Sequence, residues 1–280
     1  MPNLGSCAGV IAEVEAVVND ANSTLGNLGE VIEKDLDLSA RLLRLGNSAF
    51  FGFANRLETV SEAISLIGIQ QVMDLLTACN VIEAFEGISP DHLNMESFWK
   101  HSLACGVGAR SVAIARQLPG AEKFFVAGLL HDLGRLALLT RVPKKATEVM
   151  ARYQSQRMLM RDAEREVLGF DHAQVGEELL RSWHYPANLV HAVAYHHTPM
   201  AAGFFQLESS VVHLADYLVH AMEIGSSGEK FVPPLCNLAW QRVGLTASIL
   251  ESVMESIDEQ TAAVCDSFMR APKAAPAPTP

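Results

Sequence analysis

The sequence predicts an all-α fold, a multi-helix bundle, on three observations. Apolar residues recur at helical spacing along almost the whole chain. No sustained period-two run lies between turn dipeptides, as a strand would require. The interruptions are the Gly, Pro and capping residues that start and stop helices.

Val10, Val14, Val17 and Val18 share one stripe near the start. Leu25-Gly26-Asn27-Leu28 leads a second helix through Ile32, and Leu38, Leu42 and Leu45 mark a third. Asn47-Ser48-Ala49-Phe50-Phe51-Gly52 then breaks the pattern. Asn47 and Ser48 suit the satisfaction of backbone groups at a helix end while Phe50, Phe51 and Phe53 fill the core; a docking surface is the alternative use. Thr59 or Ser61 is placed to cap a helix carrying Ala63, Ile64 and Ile67 and ending at Gly68. A further helix is expected over Ile69 to Phe85, on Val72, Leu75, Leu76, Cys79 and Ile82.

Gly87-Ile88-Ser89-Pro90-Asp91 combines Gly, Pro and a capping pair, and divides an N-terminal lobe (1–90) from a second lobe (91–265). In the second lobe helices are expected near Glu96–Gln117, Glu122–Thr140, Lys144–Leu168, Ala173–Trp183, Ala187–His196, Glu208–Ile224 and Ala247–Met269. Gly225-Ser226-Ser227-Gly228 and Val232-Pro233-Pro234 read as loops, and the Ala/Pro tail 271–280 as disordered.

The 280 residues suffice for a substantial core, and the 21 basic against 32 acidic residues leave a net charge of −11. An acidic chain gains nothing from counterion release, so nucleic acid is excluded as an expected partner. Lys144, Lys145, Arg152, Arg157 and Arg161 are diluted by acids and read as a solvated helix face. No apolar run approaches the roughly 20 residues of a membrane span. Met1-Pro2-Asn3-Leu4-Gly5 lacks the basic start of a secretory signal, so no membrane association is expected. Five scattered cysteines, Cys7, Cys79, Cys105, Cys236 and Cys265, form no CxxC pair and read as reduced thiols of a cytoplasmic protein.

The chemistry-bearing residues are histidines and aspartates set in apolar helices. His131-Asp132 lies within Ala127-Gly128-Leu129-Leu130-His131-Asp132-Leu133-Gly134-Arg135-Leu136, where two ionisable groups are costly unless paired or metal-bound. His196-His197 precedes the helix-ending Thr198-Pro199, Asp216 sits in Val211–Leu218, His101 follows Phe98-Trp99-Lys100, and His172 opens a helix. Imidazole and carboxylate from several helices suit first-row divalent metals, and Asp132 could bridge two of them. A lone helical histidine is more often a core residue with one hydrogen bond, the reading given to His184, His191, His213 and His220. Asp171 is placed either to orient His172 or to cap its helix, with capping favoured.

The ordered set His101, His131-Asp132, His172, His196-His197, Asp216 resembles the ligand series of the HD superfamily of metal-dependent phosphohydrolases, in whose HD-GYP branch it runs H, HDxGK, H, HH, D. The block Asp37-Leu38-Ser39-Ala40-Arg41-Leu42-Leu43-Arg44-Leu45-Gly46-Asn47-Ser48-Ala49-Phe50-Phe51-Gly52, followed by Ala63-Ile64-Ser65-Leu66-Ile67-Gly68, resembles the HDOD family signature. The resemblance spans residues 1–265 and implies a single HDOD domain, an N-terminal helical lobe on an HD-like lobe. It implies a bacterial signal-transduction or regulatory output module acting through signalling protein partners, in a family generally viewed as non-catalytic. Many members have lost the metal ligands, whereas here every ligand position has a counterpart. Two departures from HD-GYP stand out: Arg135 replaces the HDxGK lysine, and Thr198-Pro199-Met200-Ala201-Ala202-Gly203-Phe204 contains no Gly-Tyr-Pro, which argues against cyclic-dinucleotide recognition.

The expected function is therefore a regulatory module with a retained site for iron, manganese or zinc, as one ion, two or none. The alternative is a metal-dependent phosphohydrolase acting on a nucleotide or cyclic dinucleotide. It would place one metal on His101, His131, Asp132 and Asp216, and a second on Asp132, His172, His196 and His197. Asp132 and Arg135 would then be its catalytic residues, the arginine stabilising phosphoryl oxygens.

Overall fold

The structure is a computed structural model that describes residues 23–48, 50–69 and 93–269, together with 13, 14, 16–18, 20, 72, 73, 75, 76, 81, 82, 85 and 88. Among these, every regular element is a helix. Val10, Cys7, Cys79, Ala49, the expected boundary apart from Ile88, and the tail 271–280 lie outside the described residues.

The chain divides into two compact units, Met1–Ala84 with Ala262–Pro280, and Phe85–Thr261. In the first, α1 (Leu25–Glu33), α2 (Leu36–Gly46) and α3 (Val60–Ile67) pack on one another. Thr24 and Thr59 each close a reciprocal capping box, with Asn27 and Glu62 respectively, satisfying amide donors at the helix starts. Asn47 clamps a distant backbone: its Nδ2 donates to the Leu57 carbonyl at 2.9 Å, and its Oδ1 accepts the Leu57 N–H at 2.7 Å. Ser48 Oγ donates to the Leu45 carbonyl at 2.6 Å, so this block serves the backbone. Of its aromatics only Phe50 is buried; Phe51 and Phe53 are half-buried and stacked on each other. The described residues of the helix expected over Ile69 to Phe85 are helical as far as Ile82, and Val72, Leu75, Leu76, Val81 and Ile82 are buried.

The second unit is built from α4 (Met95–Ala115), α5 (Ala121–Leu130), α6 (Leu133–Arg141), α7 (Pro143–Gln156), α8 (Met160–Leu168), α9 (His172–Ser182), α10 (Ala187–Ala194), α11 (Gln206–Ala221) and α12 (Asn237–Val243). The last helix, α13 (Ala247–Met269), begins in this unit, and its residues from Ala262 belong to the other. Helix α4 is buried on nearly every face from Phe98 to Ala113, with α5 and α11 against it.

Two expected long helices are each broken in two. The helix over Glu122–Thr140 stops at Leu130 and restarts at Leu133, leaving His131 and Asp132 in the turn between. The helix over Lys144–Leu168 breaks at Arg157, which takes a left-handed φ of 53°. There the freed Met160 amide is received by the Glu229 carboxylate at 2.7 Å, a tertiary partner that local sequence does not announce. Helix α10 ends at Ala194, so His196 and His197 lie beyond it, and α12 was not expected after Pro233-Pro234.

Candidate metal centre

Five segments bring their polar side chains to one buried region of the second unit. Helix α4 contributes His101 and, one turn on, Cys105; the α5–α6 junction contributes His131 and Asp132. His172 opens α9, His196 and His197 follow α10, and α11 contributes Asp216 and His220. Glycine permits the convergence. A Cβ on Gly128 would stand 2.5 Å from the Cys105 carbonyl oxygen, and one on Gly134 would stand 1.9 Å from that of His172. Helices α4 and α5, and α6 and α9, therefore meet backbone to backbone beside the donors.

The donors form two groups: His101, Cys105, His131 and Asp216, and Asp132, His172, His196 and His197. In the first, His101 Nε2 lies 3.3 Å from Asp216 Oδ1 and 3.6 Å from Cys105 Sγ, and His131 Nε2 lies 3.5 Å from Asp216 Oδ1. In the second, His172 Nε2 lies 3.0 Å from Asp132 Oδ1 and 2.9 Å from His197 Nε2. His196 Nε2 is 3.9 Å from that same Asp132 oxygen. Asp132 joins the groups, because its other oxygen, Oδ2, is 3.3 Å from His131 Nε2. All seven residues expected as ligands are thus brought together.

Outer partners fix the imidazoles. His131 Nδ1–H donates to the Gly128 carbonyl and His196 Nδ1–H to the Val193 carbonyl, each at 2.7 Å. The Glu164 carboxylate accepts both the His172 amide at 2.8 Å and its Nδ1–H at 2.6 Å. Each bond assigns a proton to Nδ1 and turns Nε2 towards the cluster, as in histidines that bind metals. His220 Nδ1 lies 2.8 Å from Asp216 Oδ1, and its ring stands edge-on to that of His101.

The chemistry of the donor set fits a divalent ion. His131 Nε2, His196 Nε2, Asp132 Oδ1 and Asp216 Oδ1 are buried without a hydrogen-bond partner, although oppositely charged groups stand nearby. Such orphaned groups cost about 1–3 kcal/mol each, more when charged, and a shared cation removes the cost. Imidazole with carboxylate suits iron, manganese or zinc.

The metal-free electrostatics express the same demand for positive charge. Although burial pushes both carboxyls up, Arg135 and His131 hold Asp132, and His220 and His101 hold Asp216, well below the usual carboxylate range. Burial pushes the His131 imidazole down, yet Asp132 and Asp216 outweigh it and raise it to about 10. Glu164 and Asp132 likewise raise His172 to about 9 against burial. His196 goes the other way, to about 3, pushed by burial and by His131 and His172. Protons on two histidines thus balance carboxylates that a metal would otherwise neutralise.

Arg135 closes the cluster on one side. Its Nε is 3.1 Å from Asp132 Oδ1 and its Nη1 donates to the Ser227 carbonyl at 3.1 Å, so the guanidinium is already engaged. Ser227 belongs to the Gly225–Phe231 loop, which Glu229 anchors: its carboxylate accepts the Tyr153 hydroxyl at 3.0 Å and the amides of Met160, Lys230 and Phe231.

Several assignments change. His220, expected as core, belongs to the cluster, and His184 is exposed at a left-handed position after α9. His213 is a satisfied core residue, donating to the His196 carbonyl and accepting the Cys236 amide. Asp171 caps α9 through a capping box with Gln174, and Glu164 orients His172. Arg161, read as solvated, donates to the His197 carbonyl at 3.2 Å. Cys105, His220 and Glu164 were missed. The first two stand four residues after an expected ligand on the same helix face, a spacing that could have found them.

Among solved structures, an HDOD domain protein of unknown function from Geobacter sulfurreducens superposes with a TM-score of 0.76 at 23% identity, covering 94% of this chain and 92% of its own. A protein provisionally called a phosphohydrolase from Shewanella amazonensis SB2B gives 0.74 at 23% identity, covering 96% and 95%. At these identities the likeness establishes the fold. An uncharacterised protein of Treponema pallidum (strain Nichols) is 24% identical over 262 residues, 90% of this chain but 49% of that protein, so the chain spans about half the length of this relative. The HDOD domain profile matches residues 4–199, ending before Asp216 and His220. With well over half its length matched, the chain belongs to the HDOD domain family.

Proposed function

We propose that this HDOD domain is a metal-binding regulatory module of bacterial signal transduction that acts through protein partners, its metal centre holding the helices together. The observation that carries this reading is burial. His101, His131, Asp132, His172, His196 and Asp216 are each at most 2% exposed. A turnover site must admit a phosphoester and water, whereas here Arg135 is ion-paired with Asp132 and hydrogen-bonded to a loop pinned by Glu229. No helix among the described residues is long and apolar enough to cross a membrane.

One observation favours the phosphohydrolase alternative: Asp132 faces both donor groups, one oxygen to each. Divalent ions held there would supply Lewis acidity and positive charge beside a phosphoryl group. The chain's own part would be Glu164 and the carbonyls of Gly128 and Val193 orienting the imidazoles, with Arg135 turning from Ser227 to a phosphoryl oxygen.

The test is elemental analysis of protein purified without chelator, with melting curves before and after metal removal and a phosphoester panel that includes nucleotides and cyclic dinucleotides. Bound metal, a lower melting temperature without it, and no hydrolysis are the expected results. Metal-dependent turnover that disappears in Asp132→Asn would replace the regulatory reading with the hydrolytic one.

A further inference from the structure

Cys105 is fully buried in the first donor group and is absent from the ligand series that the sequence suggested. It lies one turn beyond His101 on α4, so both side chains leave the same helix face. Its sulfur is 3.6 Å from His101 Nε2, which is itself 3.3 Å from Asp216 Oδ1; His131 Nε2 is 3.5 Å from that oxygen. A tetrahedral ion with bonds of about 2.05 Å to nitrogen or oxygen and about 2.3 Å to sulfur separates its donors by about 3.3 Å, or about 3.6 Å where one is sulfur. All three separations match this figure to within about 0.2 Å. Two of the atoms involved, His131 Nε2 and Asp216 Oδ1, are buried without a hydrogen-bond partner.

We propose that Cys105 is a thiolate ligand, so that His101, Cys105, His131 and Asp216 form a closed four-donor site selective for zinc, iron or cobalt over manganese and magnesium. The inference rests on the reading that this cluster binds metal. Ligation is a proton exchange without redox change. The Cys105 S–H bond breaks, its proton passes to buffer, and a sulfur lone pair forms the metal–sulfur bond. A thiolate raises affinity for softer ions, whereas manganese and magnesium favour oxygen donors. Four protein donors also leave this half of the centre no open position, as in structural rather than catalytic zinc sites.

Cobalt(II) added to the metal-free full chain reads the thiolate directly. The wild type should develop a near-ultraviolet sulfur-to-cobalt charge-transfer band. Cys105→Ser should lose it while still taking cobalt at the Asp132, His172, His196 and His197 group, and Cys236→Ser should keep it. The Cys105→Ser change should lower first-site zinc affinity by at least about tenfold, the lower end of what even an outer partner is worth, with a much smaller effect on manganese. Cobalt binding without the band, or a band that survives Cys105→Ser, overturns the thiolate and leaves the metal reading standing. No cobalt bound at all overturns both. Should the variant fail to fold, zinc-edge X-ray absorption on the wild type decides, through the presence or absence of a sulfur shell at about 2.3 Å.

Discussion

Replacing Gly134 with alanine tests whether the proposed metal centre depends on the contact between α6 and α9. The new Cβ would lie 1.9 Å from the His172 carbonyl oxygen, 2.8 Å from its carbon and 2.9 Å from the Gly176 nitrogen. Every one of these is a backbone atom, so no side chain can rotate away. Reaching even 3.0 Å, below which real Cβ contacts are essentially never found, requires the helices to part by 1.1 Å. Overpacking of this kind costs about 1–3 kcal/mol, and the rigidity on both sides points to the upper half. For a unit of this size that is a fall of roughly 4–12 °C in melting temperature. Because His172 Nε2 is only 3.0 Å from Asp132 Oδ1, the same displacement should also weaken the second donor group. Gly176→Ala is the comparison: its Cβ would come within 3 Å of a side-chain atom alone, the Val193 Cγ1 methyl at 2.9 Å, and of no backbone atom, so its loss should be smaller. The assays are thermal denaturation and competitive zinc titration of both variants. A Gly134→Ala protein that melts and binds zinc like the wild type would refute the close-contact argument.

Glu164→Gln removes the charge that orients His172 and should lower zinc affinity by about 10–100-fold at the second donor group only, read by chelator competition. In the metal-free protein the raised His131 and His172 stabilise the fold fully below their unfolded value of about 6.5 and progressively less as pH rises through about 9 to 10. Melting curves from pH 6.5 to 10 should therefore show a decline in metal-free protein that bound zinc suppresses. By the same protonation, zinc binding near pH 7 should release about two protons from these histidines and about one more as the Cys105 thiol ionises, measurable as a total by calorimetry in buffers of different ionisation enthalpy. Asn47→Ala removes both bonds to Leu57 and should destabilise the first unit by about 1–3 kcal/mol, measured by urea denaturation.

Much of this was legible in the chain. Thr59 and Asp171 are local signals, because a cap and its amide lie within three residues of each other. The seven expected ligands stood out because an ionisable group in an apolar helix needs a partner, and the structure brings them together. What stayed hidden depends on contacts between distant segments. Glu164 lies among Arg161, Asp162, Arg165 and Glu166 and reads as one more solvated charge; only the fold buries it against His172. The break at Arg157 has no glycine or proline to mark it and relies on Glu229, 72 residues away. Cys105 looked like the small apolar residue that its neighbours are, and its position opposite His131 comes from the glycine contact between α4 and α5.

Arg135 has a consequence that extends to the surface. One arm of its guanidinium faces Asp132 and the other holds the Ser227 carbonyl, in a loop that continues to exposed Lys230 and Val232. On the proposed metal-binding reading, ion occupancy and loop position are therefore two ends of one lever. An added positive charge at Asp132 weakens its attraction for the arginine and with it the hold on the loop. Thermodynamic reciprocity makes the converse obligatory: whatever displaces the loop changes ion affinity by the same factor as the ion changes the loop's equilibrium. On that reading, a shift of the loop at exposed Lys230 and Val232 would reach the centre through Arg135 alone.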